Sequence, residues 1–389
     1  MRRFGHLIVI MIVTALSLTS SDSALSQSDA KPALPGARPA IDASNYATIQ
    51  AALDAVPEAG GVVRLPAGDF EISEPLMLRR GDTRLEGVGS ATNIINTNQE
   101  GQPALIVAHA KGNKVKKEDR LWRVNLANFR ITGNEKSGHG IVATLIEEVF
   151  LQGISVSYHG GDGIRLETCY EDPRISNCLI TYNKKVGLNI LGGHDIVVSA
   201  NQFEENNDAL HCIDSFNLCM TGNNLDDHLN LGVLIENTYG SVLSGNMIEE
   251  CASTAITLDR DCYGTTISAN VIAHNGAGVD LKDAHGCSVS ANTFTIMKKD
   301  ALRIGPDSGR ITVTGNNFSN SYLGDGTVKR RENDRDAGGL VLDSTKHITV
   351  TGNLFSGLRP KAVELRGEKS EGVVFDNNVI VDAESDLGN

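Results

Sequence analysis

Gly163-Ile164-Arg165-Leu166-Glu167 returns as Ala209-Leu210-His211-Cys212-Ile213, as Ala255-Ile256-Thr257-Leu258-Asp259 and as Gly278-Val279-Asp280-Leu281-Lys282. Each copy is a small residue followed by alternating inward apolar and outward residues, the period of a half-buried strand. Outward from these copies, the small position recurs at Gly140, Gly163, Gly187, Ala209, Gly232, Ala255, Gly278, Ala301, Gly339 and Ala362. Every step between them is 22–24 residues except the 38 from Ala301 to Gly339, which marks an insertion. A self-similar period of this size belongs to a solenoid, which stacks equivalent positions into files.

A second strand follows in each repeat, as in Ile196-Val197-Val198 and Ile311-Thr312-Val313. It ends at an asparagine with a large apolar residue two positions on: Asn201/Phe203, Asn223/Leu225, Asn246/Ile248, Asn270/Ile272, Asn292/Phe294, Asn316/Phe318, Asn353/Phe355 and Asn378/Ile380. Asparagine tolerates the left-handed backbone of a sharp corner, and its amide can bond to the copies above and below. Helical repeats would show a 3.6-residue period, and these do not. The expected class is all-β, a single-stranded parallel β-helix of about 10–12 coils.

Met1-Arg2-Arg3, the apolar run Leu7 to Val13 and Ala24-x-Ser26 read as a secretory signal over 1–26. The expected location is therefore outside the cytoplasm, secreted or periplasmic. Residues 27–41 read as a disordered linker and 42–389 as the β-helix domain. Within it, Ile49, Ala52, Leu53 and Val56 predict a short capping helix over about 46–56, where a solenoid end must cover its open edge. No other apolar stretch approaches a membrane span.

The run Thr48-Ile49-Gln50-Ala51-Ala52-Leu53-Asp54 through Leu65-Pro66-Ala67-Gly68 resembles the N-terminal signature of pectate-lyase-like right-handed β-helix proteins, and the later coils resemble that superfamily's repeats. The resemblance implies a right-handed winding and a substrate groove on the outer face of the strand that follows each small residue. Members include pectate lyases, polygalacturonases, alginate-processing enzymes and noncatalytic adhesins.

A net charge of −13 disfavours nucleic acid, and an acidic sugar polymer would need a local basic patch or bridging Ca²⁺. Seven cysteines, an odd number without a CxxC, favour buried thiols over a disulfide framework. Aromatic residues are sparse, so Tyr158, Tyr170 and Tyr182 are the best placed for stacking on sugars. Nothing in the pattern calls for more than a monomer.

Two polar clusters emerge when the repeats are stacked. The first holds His139, Asp162, Arg165, Glu167, Asp208 and His211. Asp162 and Asp208 lie two coils apart, about 9–10 Å between backbones, near the carboxyl separation of inverting glycoside hydrolysis. Asp162, Asp208 and His211 are the candidate catalytic residues, and His139, Arg165 and Glu167 candidate substrate ligands. Asp162-Gly163-Ile164 also resembles part of the polygalacturonase Asn-Thr-Asp motif. That family's adjacent Asp-Asp pair is absent, and the Gly138-His139-Gly140 similar to its Gly-His-Gly lies upstream of Asp162.

The second cluster holds Glu236, Asp259, Asp280, Lys282, Asp300 and Arg303. Glu236, Asp259 and Asp280 are candidate Ca²⁺ ligands, with Lys282 and Arg303 as substrate ligands or as bases in a β-elimination. The same residues also make ordinary cross-strand ion pairs. His159, His194 and His228 fall in turns and read as structural or solvent-exposed. Two insertions, Ala110 to Arg120 and Asn320 to Asp336, carry Lys111, Lys114, Lys116, Lys117 and Lys329, Arg330, Arg331, Arg335. The leading expectation is acid/base hydrolysis of a polysaccharide, uronate-containing. The alternatives are a Ca-dependent lyase or uronate epimerase, and a noncatalytic carbohydrate-binding or structural protein.

Overall fold

The computed structural model describes residues 34–320 and 337–387. The 1–26 leader, the first part of the expected linker and the second insertion with Lys329, Arg330, Arg331 and Arg335 lie outside the described residues. From Arg38 onward the chain forms one unit. It begins earlier than the expected linker boundary, because Ala40–Asp42 already pairs as a parallel strand with Gly61–Arg64.

Three parallel sheets share the coils, a rear sheet of 16 strands, then a side sheet and a front sheet of 13 each among the described residues. Each coil contributes a short strand to the rear, side and front sheets in turn. This is deeper than the repeat count suggested, because the first coils lack regular spacing. Ala104 holds the small position 36 residues before Gly140, and the first insertion lengthens that step. The small residue is required because the next coil's backbone sits against it. A Cβ on Gly163 would lie 2.7 Å from the Gly187 carbonyl oxygen, closer than real Cβ contacts come.

The register in the front sheet follows the small position. Val142, Arg165, Asn189, His211, Leu234, Thr257, Asp280, Arg303, Val341 and Glu364 are consecutive partners in one outward file. Inward neighbours such as Leu166, Ile190, Cys212 and Leu258 are fully buried. Phe294, Phe318 and Phe355 stack with centroids 4.8 and 4.7 Å apart, so one side chain continues the next through the core.

The eight asparagines form a continuous column. From Asn223 onward each one's Oδ1 accepts from the backbone N–H and the Nδ2 of the asparagine one coil earlier, at 3.0 and 2.9 Å for Asn246 and Asn270, while Asn201 Oδ1 accepts from the Cys178 N–H at 2.9 Å. The corner's left-handed residue is not the asparagine but the one before it, such as Ala200 at φ 55° or Gly222 at φ 64°. The asparagine's contribution is therefore its amide, which satisfies buried backbone groups that water cannot reach.

The capping helix is Ile49–Asp54, shorter than expected because Thr48 stops it. The Thr48 hydroxyl accepts from the Ala51 N–H at 3.1 Å, with Thr48 itself extended. Gln50 donates to the Met77 carbonyl at 3.2 Å and accepts from its N–H at 2.7 Å, occupying the free edge of the first front-sheet strand. All seven cysteines are free thiols and all but Cys219 are buried. Burial pushes the Cys169 and Cys212 thiols up to about 12, so they behave as small apolar fillers. No helix among the described residues is long and apolar enough to cross a membrane.

Candidate active site

The front sheet brings the first cluster together. His139, Asp162, Arg165, Glu167, Asp208 and His211 line one open groove of about 740 Å³. Lys184, Lys185, Val186, Asn189 and Asn207 complete its wall. Register explains the strand residues: Arg165, Asn189 and His211 are successive partners, and Val186 pairs with Asp208.

Asp162 is the hub of the upper coil. Its Oδ1 accepts from the Val186 N–H at 3.2 Å. Its Oδ2 accepts from Asn189 Nδ2 at 3.0 Å and from Arg165 Nη1 at 3.3 Å. Arg165 is held from its other side, with Nε donating to Glu167 Oε1 at 2.6 Å. Two carboxylates thus extend the guanidinium along the groove wall, where it stays charged.

His139 and His211 are presented differently. The Asp162 backbone N–H donates to His139 Nδ1 at 2.9 Å, so the neutral ring carries its proton on Nε2. Burial lowers this imidazole's affinity for a second proton, more than the Asp162 carboxylate raises it. His211 Nε2 lies 3.0 Å from Asp208 Oδ2. With that nitrogen donating, Nδ1 holds the lone pair. Asp208 Oδ1 accepts from the Leu231 N–H and from Asn230 Nδ2, each at 2.8 Å. Burial alone would raise the Asp208 carboxyl, but His211, Leu231 and Asn230 outweigh it and hold it below its ordinary range.

The second cluster is arranged otherwise. Arg303 bridges Asp280 at 3.1 Å and Asp343 at 2.7 Å. Arg260 binds Glu236 at 2.7 Å, Lys282 lies 3.7 Å from Asp259, and Arg366 binds Asp300 at 3.1 Å. Each carboxylate meets a cation, and Glu236, Asp259 and Asp280 do not gather their oxygens. They do not suit a Ca²⁺ ion, which needs six or more converging oxygens. Among the described residues one trio gathers ligand atoms within 4.8 Å, Asp226, Asp227 and Glu250, at the corner between the side and front sheets.

Lys184, Lys185, Asn207 and Asn230 escaped the reading of the sequence because they sit in turns. The one available signal was the basic pair Lys184-Lys185 just ahead of the small Gly187. Two lysines of the first insertion find partners within it, Lys111 with Asp119 at 3.3 Å and Lys116 with Glu118 at 3.8 Å. His159 and His228 are buried in turns, as expected of structural residues.

Several solved structures share the architecture. The A-module of mannuronan C-5 epimerase AlgE4 from Azotobacter vinelandii is 17% identical, with a TM-score of 0.57, over 90% of this chain and 98% of that one. The catalytic unit of a GH87 α-1,3-glucanase from Streptomyces thermodiastaticus is 16% identical, TM-score 0.52, over 89% and 70%. PfbA, a surface adhesin of Streptococcus pneumoniae, is 12% identical, TM-score 0.53, over 86% and 93%. At such identities the likeness is one of fold. No curated protein sequence matches the chain. The family described as the right handed beta helix region matches residues 114–263, 173–318 and 254–386. These overlapping matches span most of the solenoid, and the chain belongs to that right-handed β-helix family.

Proposed function

We propose that the chain is a carbohydrate-active enzyme that binds an acidic polysaccharide in the front-sheet groove and removes the proton α to a uronate carboxyl group. The observation that carries this reading is the Asp208–His211 pair facing the same groove as Arg165. Asp208 orients the ring and stabilises the imidazolium formed when His211 Nδ1 takes the proton. The electron pair left on carbon passes into the uronate carboxylate, whose growing negative charge is met by Arg165 and Lys185 and by the His139 Nε2–H. The intermediate then either expels the β-alkoxide, which takes its proton from water in the open groove as the C–O bond breaks, or regains a proton at the α-carbon from water on the opposite face.

Hydrolysis by Asp162 and Asp208 fits this geometry less well. It needs one carboxyl group protonated and free to donate. Asp208 is held in its carboxylate form, and both Asp162 oxygens are occupied by donors. Support for a carbohydrate substrate comes also from the neighbours of like fold, a mannuronan epimerase and a glucanase among them. The fold family and the expected leader are consistent with action outside the cytoplasm.

The test is incubation with alginate and polygalacturonate in deuterated water. Deuterium entering the position α to the carboxylate supports the reading, and ultraviolet absorbance of an unsaturated product identifies elimination. Reducing ends released without either signal would overturn it in favour of hydrolysis. Asp208→Asn separates orientation from binding. It should lower kcat with little change in KM, because the ring loses the carboxylate that orients it.

A further inference from the structure

The corner that leads from the side sheet into the front sheet is left-handed in coil after coil. Its file reads Tyr158 (φ 62°), Tyr182 (φ 59°), Glu205 (φ 47°), Asp227 (φ 54°), Glu250 (φ 56°) and His274 (φ 56°). Glycine or asparagine relaxes such a position, whereas a bulky side chain there is an outlier. The first two positions nonetheless carry tyrosines. Their rings lie parallel, with centroids 5.0 Å apart and planes 6° apart, and Tyr158 is 53% exposed.

These rings border a second cavity of about 450 Å³, lined by Asn134, Glu135, Asn183, Lys184, Glu205 and Leu229 beside them. Leu229 is 63% exposed and forms an apolar wall. Lys184 lines this cavity and the catalytic groove alike, so the two adjoin across one turn. Its charge is already met by Glu135 at 2.9 Å, and Glu205 adds a further negative group. Tyr182 keeps its proton more firmly than usual, chiefly because Glu204 lies near it.

Aromatic surface, an apolar wall, carboxylates and amides together suit a polyhydroxylated ring. The sugar's C–H face lies on the apolar surface, and its hydroxyls donate to carboxylate and amide oxygens. The balance of charge, one lysine against two glutamates, disfavours a uronate. We infer that the Tyr158–Tyr182 cavity is a subsite for an uncharged sugar residue of the polysaccharide whose uronate occupies the groove. This rests on the proton-abstraction reading for the groove, and it narrows the substrate to a polymer mixing uronate with neutral sugars.

The probes are two mixed polymers, glucuronoxylan and xanthan, and two all-uronate polymers, alginate and polygalacturonate, measured by affinity electrophoresis on the whole chain. The variant is Tyr158→Asn with Tyr182→Asn, since asparagine accepts the left-handed backbone and removes only the rings. Wild type should bind at least one mixed polymer about tenfold more tightly than either all-uronate polymer, and the double variant should lose that advantage. Tyr158→Phe with Tyr182→Phe should retain it. Equal binding by wild type and the asparagine variant would overturn the subsite, as would no mixed polymer binding to wild type. Tyrosine-dependent binding without deuterium exchange or turnover would leave the subsite standing and remove the proton-abstraction reading.

Discussion

The same outward file of the front sheet is used in two ways. Over the coils of Arg165, Asn189 and His211 it faces a groove, with histidines held neutral or paired to a carboxylate. Over the coils of Asp280, Arg303 and Val341 it is a ladder of ion pairs, each carboxylate meeting a cation on a neighbouring coil. Both stretches offset charge repulsion along a stack spaced at about 4.8 Å. The second does so by pairing, which leaves nothing to act on a ligand. The first adds backbone N–H and amide donors to its one arginine, which leaves imidazole nitrogens for chemistry.

The sharpest way to break this comparison is to remove one residue from each stretch. His211→Ala should reduce turnover of the substrate by about 10²–10⁴-fold, the usual contribution of a positioned base. Arg303→Met should leave turnover within about twofold. Equal losses in steady-state assays would show that the two stretches form one working surface.

Acid should expose a second difference. His159 is fully buried in a turn against Gly133 and Gly140, and neither ring nitrogen finds a hydrogen-bond partner. Burial drives it down to about 4, and His228 likewise. A folded-state value below the ordinary 6.5 means that stability is full above about pH 6.5 and lost as pH falls toward 4. The loss is on the order of 3 kcal/mol for each fully buried imidazole. In the same turn file, Asn183 and Asn206 pass an amide hydrogen bond from coil to coil, Asn183 Nδ2 donating to Asn206 Oδ1 at 2.9 Å. His159→Asn should extend that ladder and flatten the profile across this window. Chemical denaturation at pH 7 and pH 4.5 measures it; an unchanged difference between the two pH values would mean that His159 is not what titrates.

Ranked next is the stability of the ladder. Arg303→Met leaves Asp280 and Asp343 without their shared counter-ion in a partly exposed setting, at a cost of about 1–2 kcal/mol. Added salt should recover part of it by screening the two carboxylates. A loss insensitive to salt would point to packing of the arginine stem instead.

How much of this was legible in the sequence follows from what a period can encode. The small residues fix register, so Arg165, Asn189 and His211 could be placed in one file without coordinates. So could the asparagine column, though its left-handed neighbour was missed because that file mixes alanine with the glycines that would mark it. Alternation says which residues face outward, not what they touch. That Glu236 meets Arg260 depends on the turn after Asp259 bending back. That Arg303 meets Asp343 depends on two coils being adjacent across the long insertion. The donors to Asp208, the Leu231 N–H and Asn230, likewise come from a turn, and these bonds made hydrolysis the weaker reading.

The smallest expected effect lies at the corner file, where Asp227, Glu250 and Asp226 crowd together and His274 lies 2.7 Å from Glu250. Asp227 is raised to about 6, first by partial burial, then by its hydrogen bond with Glu250 and the charges of Asp226, Glu250 and Glu205. A folded-state value above the ordinary 3.8 means that its contribution is full below about pH 3.8 and is lost as pH rises through 6. Asp227→Asn keeps the left-handed corner and removes that charge. The variant should therefore gain on wild type in thermal midpoint between pH 3.5 and pH 7.5, by a small margin because Asp227 is exposed. A variant that gains nothing over this range would show that the corner carboxylates are already relieved at neutral pH, and that this file resembles the ion-paired ladder more than the groove.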